Sequence, residues 1–550
     1  MIKLNQIRLT PAQCVHEDKE CTQLKKKSAR ILNIPITAIQ SLTVMRKALD
    51  ARKKPDLFYT FSVAVSLTKD LEKKLLRRHA DNPNITSYTP PSAYILPEGR
   101  QDLMCRPVVV GMGPAGLFCA YYLAKAGFRP IVLERGESVD ERRRKVNRFW
   151  QSGILDPECN VQFGEGGAGA FSDGKLNTLI RDPDGIGHEV LSCFVQHGAK
   201  RSIMYEAKPH LGTDVLCDIV KNIRHSLLQM GAEIRFQTTV ARLIVREGRL
   251  QAVKLKSGET INTQIAVLAI GHSARDLFYT LHSDGFQMEA KPFAVGVRVQ
   301  HLQTNINENQ YGAHCPYDMP PAEYKLTAKT PDDRGVYTFC MCPGGFVVNA
   351  SSEPHLLAVN GMSYSDRAGV NANSAVIVTV SPSDVRKWMH CPEDHPDAVL
   401  AGVEFQRLLE RRAWEAGQGQ IPIQRFEDFC RNQPSSGPGA ILPETKGAVQ
   451  YTNIRPVFPQ EIGDALAHGI HAFAKKMHCF DDGDALLAAV ESRTSSPVRI
   501  LRNSAFVGSA AGVYPCGEGA GYAGGILSAA IDGIKTARAI AKMYRPQKQT

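Results

Sequence analysis

The chain has no uninterrupted apolar run of about eighteen residues, the length a membrane-spanning helix needs. Its opening stretch, MIKLNQIRLTPAQCVHEDKE, lacks the apolar core of a secretory leader and soon turns acidic. Fourteen cysteines are scattered without a repeating framework and without any Cys-x-x-Cys pair, which argues against a disulfide scaffold and against a zinc ribbon. No internal repeat or low-complexity tract appears, so a solenoid is excluded. What remains is a globular chain with reduced thiols, expected in the cytoplasm, with no membrane partner and no metal. At 550 residues, 43% hydrophobic and 22% charged, it is too long for one ordinary core, and two or three domains are expected.

The net charge of +11 is unevenly spread: residues 1–100 hold 18 Lys and Arg against 9 Asp and Glu. Clusters sit at Lys25–Lys27, Arg52–Lys54 and Lys73, Lys74, Arg77, Arg78. They fall on several elements without interleaved aromatics, so they read first as a solvated face; a nucleic-acid partner held by this basic leader is the alternative. Residues 1–97 read as strand, helix, strand, strand, helix: LNQIRLTP, CTQLKKKSARILNI, SLTVMRKALDAR, DLFYTFSVAVSL and LEKKLLRRHAD. That order suits a small ferredoxin-like α/β module. NPNITSYTPPSAYILPEGRQD, rich in Pro, Ser and Asn, reads as a linker.

Beyond it, PVVVGMGPAGLFCAYYLAKAGFRPIVLERG carries Gly-x-Gly-x-x-Gly at Gly111, Gly113 and Gly116. A buried parallel strand precedes the turn and a helix opening with Pro114 and Ala115 follows it. The first glycine permits the turn, the second lets backbone approach a pyrophosphate, and the third lets helix and strand pack closely. A second strand ends at Glu134, followed by Arg135; the carboxylate is placed to accept both ribose hydroxyls and repels a 2′-phosphate. The turn therefore binds a dinucleotide.

Three distant segments decide which one. QIAVLAIGHSARD is an apolar strand ending at Ala269 and Gly271, similar to the strand by which flavoproteins of the glutathione-reductase superfamily bring the chain back beside the nucleotide. FGEGGAGAFSDGKLNT, with Gly166, Gly167, Ser172, Asp173, Gly174 and Lys175, implies backbone pressed against a flat or phosphorylated ligand. Near the C-terminus, YPCGEGAGYAGGI holds Gly517, Glu518, Ala523, Gly524, Gly525 and Ile526 ahead of an apolar helix whose positive end would face a flavin ring. An NAD domain has no need of this return, so the cofactor is read as FAD. These segments, together with YTFCMCPGG, NGMSYSDR, ESRTSSPVRI and RKALDARKKPDLFYTF, resemble a family of FAD-dependent, NAD(FAD)-utilising dehydrogenases. The resemblance implies a glutathione-reductase-like FAD fold over most of residues 100–540. In that superfamily a Gly-Asp pair binds the ribityl chain where this sequence has Gly517-Glu518. The expected architecture is α/β: a discontinuous Rossmann-like FAD domain (98–290 plus 500–550), an inserted β-rich α+β cap (291–499) and the leading module (1–97).

Two absences restrict the chemistry. No second Gly-x-Gly-x-x-Gly is read behind a convincing strand, and no Cys-x4-Cys follows the first helix, so a disulfide-reductase layout is disfavoured. The reductant is either NAD(P)H bound transiently at the flavin face or the unidentified small-molecule substrate itself. The expected activity is hydride exchange with flavin N5, with a flavin monooxygenase or an RNA-associated flavoenzyme as alternatives. Candidates for the catalytic groups are Cys340, Cys342, Cys516, His272 and Arg493. Cys340 and Cys342 are two apart and face one way on an extended strand, where Cα atoms lie roughly 6.5–7 Å apart, long for a disulfide. Arg298, Tyr337 and Arg367 are expected to line a substrate pocket.

Overall fold

The computed structural model describes residues 1–91, 94–178 and 182–547. Its nucleotide domain is built on a five-stranded parallel sheet. Val108–Val110 is the middle strand, flanked by Ile131–Leu133 and Ala266–Leu268, with Glu233–Arg235 and Val513–Pro515 at the edges. Strands this short and β-branched are buried on both faces, as parallel sheets require. Alternate side chains separate the two layers: Val109, Val132 and Val267 pack under the helices Pro114–Lys125, Gly212–Gln229 and Ile526–Met543. Val108, Val110, Leu133 and Leu268 face an antiparallel meander, Val240–Arg246, Arg249–Leu255 and Thr260–Asn262. The edge strand Val513–Pro515 closes the sheet from near the far end of the chain, so the domain is discontinuous.

The cap holds a seven-stranded sheet in the order Thr327–Lys329, Gly335–Cys342, Asn371–Val380, Phe293–Leu302, Leu486–Glu491, Ile421–Arg425, Val449–Tyr451. All pairs are antiparallel except the last. Its two central strands pair without interruption from Phe293 opposite Val380 to Leu302 opposite Asn371. The helices Ala401–Ala416 and Gln460–Ala474 bury Phe405, Leu409, Ile462 and Phe473 in the same core as the sheet.

The N-terminal module is a four-stranded antiparallel sheet, Ser41–Asp50, Phe58–Ser66, Ile2–Leu9, Ile85–Ser87, with helices Glu17–Leu32 and Lys69–Arg78. This is the ferredoxin-like order. Part of the stretch read as a linker is its fourth strand: Ile85 is buried and Ile85–Ser87 pairs with Ile2–Leu4. Three residues between Asn and Tyr carry no periodicity, and the free edge of the first strand is what selects them. The opposite edge is not free: Lys47 N donates to the Tyr205 carbonyl (2.7 Å) and Ala207 N to the Lys47 carbonyl (2.8 Å), docking the module on the nucleotide domain. Two of the basic clusters lie on the helices, where Lys26, Lys73, Lys74, Arg77 and Arg78 are exposed, and Arg52–Lys54 lies in the connection between the strands Ser41–Asp50 and Phe58–Ser66.

Candidate functional site: a groove between the nucleotide domain and the cap

The glycine turn is closed by backbone contact. Gly111 has φ +95°, and a Cβ there would collide with the Ala269 carbonyl. At Gly116 a Cβ would collide with the Gly111 carbonyl, so this glycine sets the approach of helix to strand. The C-terminal return packs on the same spot: a Cβ on Gly533 would meet the Ala115 carbonyl, and one on Gly519 the Gly271 carbonyl. Four distant segments thus meet around one cavity of about 690 Å³.

Two helix N-termini open onto it. Gly113 caps the helix Pro114–Lys125 without any side-chain cap, and Gly113, Pro114 and Ala115 are on the wall. Gly524, Gly525 and Ile526 bring the start of Ile526–Met543 to the same wall, also without a side-chain cap bond at Gly525. The first amides of such helices have no intrahelical acceptor and carry the positive end of the helix dipole.

Glu134 is buried, and its carboxylate accepts from Met112 N (2.8 Å), Gly136 N (2.9 Å) and Gly164 N (2.9 Å). A carboxylate has about four acceptor sites. With three taken, it keeps room for one hydroxyl rather than the ribose pair expected from the sequence. Beside it Arg135 lies over the Phe163 ring, 4.2 Å from the centroid, and pairs with Glu158 (3.0 Å) and Asp276 (2.9 Å).

The glycine loop is held from behind by a residue the sequence did not single out. Arg142 is fully buried and donates to the carbonyls of Asn160 (2.9 Å), Val161 (2.9 Å), Glu165 (2.8 Å) and Gly167 (2.9 Å). A signal was present: Val139, Arg142, Val146 and Phe149 form the buried stripe of their helix, with the arginine on the apolar register. Gly167 (φ +63°), Ser172 and Lys175 reach the cavity; Gly166 and Gly174 do not, but both have positive φ and shape the loop.

Asp173 is turned away from the cavity. It is fully buried, pairs with Arg367 (2.6 Å) and Lys175 (2.7 Å), and accepts the Ser363 hydroxyl. Burial works to raise its pKa, but Lys175 and Arg367 outweigh it and hold the carboxyl below the usual range. Arg367, expected on a substrate pocket, is consumed by this pair and by Glu323 (2.9 Å). Arg298 and Tyr337 are likewise absent from the wall.

At the cap end the wall is formed by Thr338–Met341, Asn360, Glu491 and Arg493. The strand Gly335–Cys342 is bulged between Phe339 and Cys342, and Cys340 has φ +43°. Cys340 lies on the wall; Cys342 is completely buried and is not part of it. The extended geometry assumed from the sequence does not hold at this point. The Cys342 thiol turns back to donate to the Cys340 carbonyl (3.3 Å). Arg298, buried beneath, donates to that same carbonyl (2.8 Å), to Asn360 (2.8 Å) and Asn373 (3.0 Å), and pairs with Glu491 (2.7 Å). Lys175 donates to the Met341 carbonyl and so joins the bulge to the glycine loop. A hydrogen bond from Cys342, with Arg298 and Lys175 nearby, pulls the Cys340 thiol down to about 5 against the effect of burial.

His272 is on the wall with its Nδ1 3.1 Å from Glu518 Oε1, and its buried Nε2 has no hydrogen-bond partner among the described residues. Ala269, Gly271 and Glu518 are on the wall; Gly116, Gly517 and Ala523 are not. Cys516 is on it too, but burial raises its thiol well above the normal range, and the Thr536 hydroxyl donates to its sulfur (3.3 Å). Arg493 reaches the wall while its guanidinium is held by Glu410 (2.8 and 2.9 Å). Glu410, buried, also takes Arg275 through two contacts (2.8 and 2.9 Å), so one carboxylate ties the Gly271 return to the cap.

Matches to known proteins agree with this layout. A family model described as FAD-dependent protein, C-terminal domain-like matches residues 292–494; an NAD(P)-binding Rossmann-like domain matches 109–140, and a domain of unknown function matches 1–66. A Clostridium beijerinckii protein described as uncharacterised is 42% identical over 551 residues, covering 99% of each chain. Among similar solved structures are a reductase-like protein from Thermoplasma acidophilum, described as geranylgeranyl bacteriochlorophyll reductase-like (13% identity, TM-score 0.36, 81% of this chain and 79% of that one), and a glycine oxidase from Bacillus cereus (11%, 0.31, 80% and 95%). With a full-length relative, an FAD-dependent match across the cap and a Rossmann-like match at the glycine turn, the chain belongs to a family of FAD-dependent proteins.

Proposed function

We propose that the groove holds FAD with its adenosine end near Glu134 and its ring end between Gly524–Ile526 and the Cys340 bulge, and that the protein is a dehydrogenase-type oxidoreductase. The observation that carries this reading is that both uncapped helix N-termini, the glycine loop and the cap bulge line one continuous cavity. The residues fit the group: a Cβ on Gly524 would meet nothing within 4 Å, so backbone is bare there, and His272 offers an unpartnered buried nitrogen. Bound there, FAD would supply hydride chemistry that no side chain offers. The amides of Gly113 and Ala115 would bind the pyrophosphate. The start of Ile526–Met543 would stabilise negative charge at the ring. His272, with Glu518 at Nδ1, is placed to hold or deliver a proton through Nε2. The cap wall would orient a small substrate and exclude water, and NAD(P)H is proposed as the transient reductant, with the substrate itself as the other electron donor.

The test is direct. The purified protein should be yellow, release FAD on denaturation, and bleach anaerobically with NADH or NADPH. A colourless protein that takes up no added FAD overturns the cofactor reading. A yellow protein that neither nicotinamide bleaches overturns the choice of reductant.

A further inference from the structure

Cys340 and Cys342 occupy a setting unlike that of the other cysteines. The bulge puts Cys340 on the cavity wall in a left-handed conformation that bulky side chains avoid. Cys342 sits directly behind it with its thiol turned back onto Cys340. One guanidinium, Arg298, touches both residues: the Cys340 carbonyl at 2.8 Å and the Cys342 sulfur at 3.8 Å. The charged groups facing the pair are Arg298 and Lys175, countered by Asp173 and Glu491. A buried packing cysteine needs neither the strained backbone nor the cation. Cys119, by contrast, is fully buried and burial drives its thiol far upward.

We propose that Cys340 and Cys342 form a redox-active dithiol, a second redox centre that exchanges an electron pair with the FAD. The proposal rests on the cofactor reading above, and goes beyond it in assigning chemistry to the cap. In the forward direction the Cys340 thiolate and the Cys342 S–H bond give way to one Cys340–Cys342 S–S bond. Two electrons and the Cys342 proton pass to oxidised FAD, leaving anionic reduced FAD; the reverse step regenerates the dithiol. The hydrogen bond from Cys342, with Arg298 and Lys175 nearby, favours the thiolate form of Cys340, the nucleophilic species in disulfide exchange. Cys342 keeps its proton, because its hydrogen bond to Cys340 and its burial push its thiol well up. One sulfur is thus ready to react and the other retains the proton that accompanies the electrons. A thiol or disulfide of small size, arriving at the cap end, is the class of substrate such a pair would serve.

The experiment uses the full-length holoprotein under anaerobic conditions. Reductive titration of the oxidised wild type should consume twice the electron equivalents needed for its flavin alone, and Cys342→Ser should halve that uptake. Mass spectrometry of the alkylated 335–345 segment should show both thiols blocked after reduction and neither after oxidation. Iodoacetamide should modify Cys340 at pH 7 about tenfold or more faster than an ordinary thiol, following its thiolate fraction. Cys340→Ser is the second variant and should lose the extra equivalents in the same way. A yellow wild-type protein that takes up only the flavin's equivalents, with both thiols free after oxidation, overturns the proposal alone. A chain that carries no FAD overturns the cofactor reading and the exchange with it.

Discussion

Arg298 Nε donates to Glu491 Oε2 at 2.7 Å with neither side chain open to solvent, and the same guanidinium reaches the carbonyl of Cys340. The cap strands Phe293–Leu302 and Leu486–Glu491 are joined through this pair directly beneath the wall of the groove. Burial pushes the Glu491 carboxyl up while Arg298 opposes it. Arg298→Met should therefore leave a buried acid without its partner and cost about 3–5 kcal/mol of stability. The check is the urea midpoint of the cap transition. The same variant should slow Cys340 alkylation at neutral pH. Arg298→Lys should restore neither, because an ammonium cannot make the forked set of contacts.

Glu410 predicts an acid-side effect. Burial works to raise its pKa, yet Arg275 and Arg493 overcome this and hold the carboxyl far below the usual range. A depressed folded pKa adds stability that is present above the unfolded value, about 4.3, and is lost as pH falls toward the folded one. Wild-type unfolding midpoints should therefore drop below about pH 4.3, and Glu410→Gln should flatten that arm. At pH 7 the variant should be destabilised by about 3–5 kcal/mol, because two buried guanidinium groups lose their shared charge.

Gly116→Ala tests the turn without a φ argument. Its Cβ would collide with the Gly111 carbonyl, so the helix must shift away from the strand. Expected outcomes are a cost of about 1–3 kcal/mol and loss of bound flavin, read as the ratio of flavin to protein absorbance. Gly153→Ala is the control, since nothing lies within 4 Å of a Cβ there. It should keep the flavin and lose only a small amount of stability from its positive φ.

Glu134→Ala leaves three buried backbone donors without an acceptor, those of Met112, Gly136 and Gly164. Each unsatisfied donor costs about 1–3 kcal/mol. The variant should unfold at lower urea and bind FAD more weakly, as measured by ultrafiltration of released flavin. Glu134→Gln, which keeps an acceptor oxygen, should fall between.

The parallel core was readable because its signals are local. Three valines, a glycine turn and a helix follow one another within residues 108–125, and burial on both faces writes itself into composition. The fourth strand of the leading module was not readable, because Ile85–Ser87 is selected by an edge more than eighty positions earlier. Glu410 carried no signal either: its partners lie 83 and 135 positions away in Arg493 and Arg275. Arg142 could have been found, since its helical register is apolar, but three consecutive arginines disguise which one turns inward. At Cys340 the alternation rule broke because a bulge reverses the local backbone, and nothing in TFCMCPGG announces the left-handed residue.

Asp173 fastens the glycine loop to Arg367 and Ser363 of the cap, in a contact closed to solvent. The two sides of the groove are therefore bolted rather than hinged, and parting them would strand opposite charges in a dry interface. FAD lodged between them, as proposed, should exchange only slowly with free FAD. On the proposed reading, a small-molecule substrate would enter past the half-open Phe339.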